Sequence, residues 1–189
     1  MQFQKTIPFQ GAEVPVDVVS DKYIFDSEIM LNTPVVHSEQ PFFVSKTGKS
    51  LAQANFEGDN SLVSEGRIFE VLGIYVFFYQ ATTKKSVADA ALCFDAGYYE
   101  WNTQGTLTDR DWLHQIMGST DLYDTAGVDT PSQGNGSHAN IRKYQVSRFV
   151  PGGRSIEFRL SWPDGGLTLT EDAIIYVRLY GYELIPRDI

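Results

Sequence analysis

Apolar and polar residues alternate with a period of two along much of the chain, the spacing of side chains that project to opposite faces of a β-strand. Val14, Val16 and Val18 alternate with polar or small neighbours and predict a strand with one apolar face. Tyr23-Ile24-Phe25 and Phe42-Phe43-Val44 predict shorter strands, and Pro34 and Pro41 restrict the stretch between them to loop or edge, because proline cannot donate to a ladder. Arg67–Gln80 is the strongest strand. Simple alternation puts Phe69, Val71, Tyr75, Phe77 and Tyr79 on one face and Ile68, Leu72, Ile74, Val76 and Phe78 on the other. Both faces are apolar, so this strand is expected at the centre of a sheet and covered on both sides. Gly73 and the β-branched and aromatic content argue against a buried helix.

Ala88–Trp101 reads as a further strand with Gly97 as a candidate bulge. Thr108-Asp109-Arg110-Asp111 then has the form of a capping box, and Trp112, Leu113, Ile116 and Met117 follow at helical spacing, predicting a short helix over 109–117. Residues 118–138 are rich in Gly, Pro, Ser, Thr, Asn and Asp and read as a long loop. Strands resume at Ile141–Val150, turn at Pro151-Gly152-Gly153, and continue through Ile156, Phe158, Leu160 and Trp162. After the turn Pro163-Asp164-Gly165-Gly166, the stretch Ala173–Leu184 sets Ile175, Val177 and Leu179 against Tyr176, Tyr180 and Tyr182. About eight strands without β-α-β alternation or a fixed repeat predict an all-β antiparallel sandwich or jelly roll over residues 1–189. The single domain is expected to carry an N-terminal arm (1–12) and a long loop insertion with a short helix (102–138).

Composition narrows the function classes. Aromatics reach 13% of 189 residues, an excess that suits pleated, half-buried surfaces. Fifteen Lys and Arg against 24 Asp and Glu give a net charge of −9, which opposes direct nucleic-acid binding and repels anionic membrane surfaces. The single cysteine, Cys93, sits in an apolar run and reads as a small hydrophobe; it allows neither an intrachain disulfide nor a cysteine zinc cluster. The first residues lack the apolar stretch of a secretion signal, and no run approaches the ~20 apolar residues of a membrane span, so synthesis in the cytosol and a non-integral protein are expected.

Candidate chemistry is sparse. His37, His114 and His138 have no ligand spacing. Asp121, Asp124 and Asp129 could hold calcium, but they match no EF-hand loop and a solvated acidic loop explains them as well. His114 with Asp109, Asp111 and Ser119 could be drawn as a triad; a helix whose acids complement its dipole is the plainer reading. Glu157, Glu171 and Glu183 alternate with apolar residues, which assigns them to solvent faces rather than to a glycosidase cleft. Gly134-Asn135-Gly136 lacks the rest of a phosphate loop, and Asn135-Gly136-Ser137 is a formal glycosylation sequon. Trp101, Trp112, Tyr98 and Tyr99 could stack on sugars or simply fill a core. No catalytic, cofactor-binding or metal-binding residue is assigned, and the chain is not expected to be an enzyme.

Taken together, the short segment before Val14, the long apolar strand Arg67–Gln80 running into Ala88–Trp101, the strands joined by Pro151-Gly152-Gly153, and the closing strand Ile175–Leu184 resemble the single-jelly-roll major capsid proteins of tailless icosahedral viruses with an internal membrane. The resemblance covers most of the chain and rests on no signature motif. It implies a structural subunit made in the host cytoplasm and resident in the virion. Such a subunit would assemble with copies of itself and with other capsid proteins, in contact with an internal membrane rather than with the genome. Lys5 is the only basic residue before Lys22, which departs from the basic arms of capsids that touch nucleic acid. The rivals are a carbohydrate- or receptor-binding β-sandwich module and a cupin-like or glycosidase-like enzyme; three scattered histidines tell against the His-rich metal site of a cupin.

Overall fold

The computed structural model describes residues 3–58, 60–82, 87, 93, 96–116 and 142–187. Nine strands form two antiparallel sheets: β1 (Phe3–Phe9), β2 (Ala12–Met30), β3 (Glu39–Phe42), β4 (Ile68–Gln80), β5 (Tyr98–Thr103), β6 (Thr106–Trp112), β7 (Arg142–Pro151), β8 (Ile156–Ser161) and β9 (Ala173–Pro186). One sheet has the order β1-β2-β9-β4-β7 and the other β3-β8-β5-β6. The pairings nest: β2 with β9, β3 with β8, β4 with β7 and β5 with β6. A long double ribbon folded over on itself gives this connectivity, and it is that of a jelly roll. The all-β sandwich expected from the alternation is therefore present, with one strand more than the pattern indicated.

Two strands go beyond the pattern, β1, formed by residues expected to be an arm, and β6, while two expected strands merge into β2. Phe3, Ile7 and Phe9 alternate, and Gln10 and Gly11 both take positive φ (52° and 83°), the two-residue turn that matches strand twist. Ile7 packs with Val16, Ile68 and Leu184. Tyr23-Ile24-Phe25 is not a separate strand either. It belongs to the 19-residue β2, which runs on through a bulge between Val18 and Ser20.

The core lies between the sheets. Phe69, Val71, Ile74, Val76 and Phe78 of β4 and Ile175, Val177 and Leu179 of β9 meet Tyr99 and Trp101 of β5 and Ile156, Phe158 and Leu160 of β8. Rings join edge to face, as in Phe43–Phe56 (5.5 Å) and Phe78–Trp162 (6.5 Å), the arrangement favoured by the aromatic quadrupole. The face assignment of β4 departs from simple alternation. A bulge between Val71 and Gly73 shifts the register against both β9 and β7, so Phe69 and Val71 share the inner face with Ile74, Val76 and Phe78. Tyr75 and Phe77 lie on the outer face. A glycine inside a strand marks such a bulge.

Further expectations are corrected. Strand β5 begins at Tyr98, not Ala88, and Cys93 has helical backbone; residues 88–92 lie outside the described set. Gly97 is not a bulge: a Cβ there would overlap the Trp162 indole and Leu113, so the missing side chain makes room for core packing. The helix expected over 109–117 is strand β6 up to Trp112, followed by a single 3₁₀ turn, Leu113–Ile116. Asp109 accepts from the Tyr99 hydroxyl (2.6 Å) and Arg110 pairs with Glu100, so cross-strand partners on β5 outweigh the local capping signal. Residues 102–112 are thus a hairpin, turned at Gln104-Gly105, rather than loop. The expected loop over 118–138 lies outside the described residues.

Candidate functional site: two outer walls of unlike chemistry

The sandwich presents two outer walls. On the five-stranded sheet, Tyr75 and Phe77 are buried among Tyr23, Tyr79, Tyr176 and Tyr180. The Arg178 guanidinium sits over this cluster, 5.2 Å from the Phe77 ring and 5.8 Å from that of Tyr176, and desolvation there pushes the Tyr79 hydroxyl up to about 12. Farther along the same wall, Lys5 bonds Glu70 and lies over Tyr182 (5.1 Å). The three tyrosines foreseen as one face of the last strand thus belong to this wall, Tyr176 and Tyr180 in one cluster and Tyr182 in the next. Both edges of the sheet carry exposed apolar side chains: Phe3 on β1 and Val146 on β7, each 69% exposed.

The wall of the four-stranded sheet is ionic. Glu100 on β5 is 4% exposed and accepts from Arg110 Nε (2.9 Å), Arg159 Nη2 (2.6 Å) and Asn102 (3.1 Å). The Arg110 hydrogen bonds foremost, with those from Arg159 and Asn102, hold its carboxyl at about 2 against the cost of burial. Arg159 reaches on to Glu39 (3.8 Å). Beside this network Tyr98 and Trp112 stand directly opposite each other on β5 and β6. With Arg110, Asp111 and Pro163 they line a cleft of about 460 Å³.

The candidate residues that lie among the described residues do not converge. His37 Nε2 lies 2.8 Å from the Leu31 carbonyl oxygen, while His114 stacks on Trp112 with 6.5 Å between ring centroids. His138, Ser119, Asp121, Asp124, Asp129 and Gly134-Asn135-Gly136 lie outside the described residues, so the drawn triad and calcium loop have no described site. Among the described residues no three His, Cys, Asp or Glu side chains gather as metal ligands. Cys93 is fully buried, and its carbonyl accepts from the Trp162 indole (2.9 Å). Glu157 is exposed and Glu171 accepts from Gln80 (2.6 Å). Glu183 corrects the expectation of a solvent face: it is buried between Lys22 and Arg67, whose charges hold its carboxyl below the usual range in spite of desolvation. Of the four candidate stacking rings, Tyr99 and Trp101 are core, while Tyr98 and Trp112 reach the surface.

Sequence reasoning missed Asp26. Its carboxylate is fully buried, accepting from the backbone N–H of Ser27 (2.9 Å) and of Phe43 (2.7 Å) and from Lys49 Nζ (2.6 Å). It ties β2 to the loop after β3, where Phe43 takes a φ of 61°. An acid flanked by Phe25 and Ser27 carries no local sign of burial, because two of its three partners, Phe43 and Lys49, lie 17 and 23 residues away. Compared with known proteins, the chain matches no family model, no curated protein and no solved structure.

Proposed function

We propose that this protein is a structural subunit of a viral capsid, assembling with copies of itself through lateral contacts into an icosahedral shell. The observation that carries the reading is the placement of exposed apolar side chains on opposite edges of one rigid wall: Phe3 on β1 at one side, Val146 on β7 at the other. A two-fold dimer uses one self-complementary patch. Patches on opposite sides make heterologous contacts, which propagate into rings and shells. Among the described residues both are the end strands of the sheet, each paired with one neighbour, and an edge strand is what another chain pairs with most readily. The jelly roll gives the stiffness a shell needs, since β2 and β9 pair over 14 positions. The net charge of −9 favours a shell whose subunits do not grip the genome directly, and an internal membrane and other capsid proteins are the remaining partners of this reading.

Light scattering coupled to size-exclusion chromatography, with electron microscopy of concentrated protein, tests the proposal. Rings, sheets or closed particles are expected, and the double variant Phe3→Asp with Val146→Asp is expected to shift the population to monomer without changing the circular dichroism spectrum. A wild-type chain that stays monomeric at every concentration would remove the basis for the reading.

A further inference from the structure

We propose that the cleft between Tyr98 and Trp112 is a binding site for a neutral mono- or disaccharide. Trp112 is 50% exposed, an unusual place for the largest apolar ring of an edge strand, and its plane lies within 13° of the His114 ring it stacks on. Tyr98 stands opposite it in register, with the Arg110 guanidinium 5.8 Å from the ring centroid. A pyranose has the complementary surface: a C–H face that packs on aromatic rings and a rim of hydroxyls that both donate and accept. Asp111 and Arg110 supply an acceptor and a donor at the rim of the rings. A volume of about 460 Å³ lies in the range of small-molecule sites.

Charge selects among ligands that stack. Arg110 and Arg159 share Glu100, Arg159 also faces Glu39, and Asp111 adds a further negative charge to the cleft, so no surplus of positive charge awaits a sialylated or phosphorylated glycan. The chain's net charge of −9 likewise opposes a nucleotide base carried on its phosphodiester backbone. The site lies on the four-stranded sheet, whereas Phe3 and Val146 lie on the other.

Trp112 also provides the readout. Trp101 and Trp162 are buried, at 0% and 1% exposure, so acrylamide quenching of the intact protein reports on Trp112. Titration with maltose, cellobiose, N,N′-diacetylchitobiose and, as the charged control, sialyllactose is expected to protect Trp112 with at least one of the neutral sugars. Calorimetry is expected to show affinity for that sugar reduced about tenfold or more in Trp112→Ala and largely kept in Trp112→Phe. Should Trp112→Ala lose its fold by circular dichroism, Tyr98→Ala gives the same reading. No protection by any neutral sugar, protection by sialyllactose alone, or unchanged affinity in folded Trp112→Ala and Tyr98→Ala would each overturn the proposal. None of these outcomes bears on whether the chain forms shells.

Discussion

A carboxylate taken out of water needs replacement hydrogen bonds, and at residue scale Asp26 and Glu100 find them differently. Burial is the largest influence on Asp26 and raises its pKa, although Lys49 and the Phe43 and Ser27 N–H groups all favour the ionised form. Its raised value means that its own ionisation opposes folding as pH rises through it. Its removal is costly for another reason: the Phe43 N–H and Lys49 would be left without their acceptor. Asp26→Ala is expected to lower the urea-derived unfolding free energy by about 2–4 kcal/mol, and Asp26→Asn by less, since an amide oxygen still accepts from Phe43. Glu100 is the opposite case. Its pKa lies below the unfolded value of 4.5, at about 2. Its contribution is therefore complete above the unfolded value and is lost as pH falls through the folded one. Wild type is expected to lose about 1–2 kcal/mol more than Glu100→Gln between pH 5 and pH 2, a modest figure because Arg110 and Arg159 are half exposed and screened. Cys93, buried at the core, is expected to react with a thiol reagent only after denaturant unfolds the chain.

At the scale of elements, the period-two pattern located the strands and the bulges decided which way they face. One extra residue reverses every side chain beyond it. In β2 the register shifts between Val18 and Ser20: Val14, Val16 and Val18 pack on the outer wall, Ile24 in the core. In β4 the shift falls between Val71 and Gly73, opposite Gly181 of β9. A Cβ on Gly181 would overlap the Glu70 carbonyl oxygen, so this glycine is what lets β9 approach the bulge. Gly181→Ala is expected to destabilise by about 3 kcal/mol or more, because backbone rather than a mobile side chain must move; a thermal melt of the variant checks this. Strand β6 was illegible for a different reason. Thr106–Trp112 is polar and carries an N-cap motif, and its strand character comes from β5, through Tyr99–Asp109 and Glu100–Arg110. The hairpin signals Gln10-Gly11 and Gln104-Gly105 were present in the sequence; both pairs adopt positive φ, and both mark strands that alternation alone left out.

For the molecule as a whole, function rests on surfaces. In the proposed shell, subunits each carrying −9 would have to overcome mutual repulsion, so assembly through apolar edges is expected to strengthen as salt shortens the Debye length. Scattering intensity measured across increasing sodium chloride at fixed protein concentration checks this; particles that dissolve as salt rises would instead mean contacts dominated by ion pairs. The sequence by itself determined the fold class, the interior position of Arg67–Gln80, which is paired on both sides although β9 and not β4 is the middle strand, and the net acidity of the chain. Each is a property of local pattern or of simple sums over residues. Only the tertiary structure decided that the strands pair as nested hairpins, that Tyr98 and Trp112 share a cleft while Tyr99 and Trp101 fill the core, and that Asp26 is buried against Phe43 and Lys49. Those outcomes depend on which distant segments come together and on single-residue register shifts. The alternation of side chains along one strand carries information about neither.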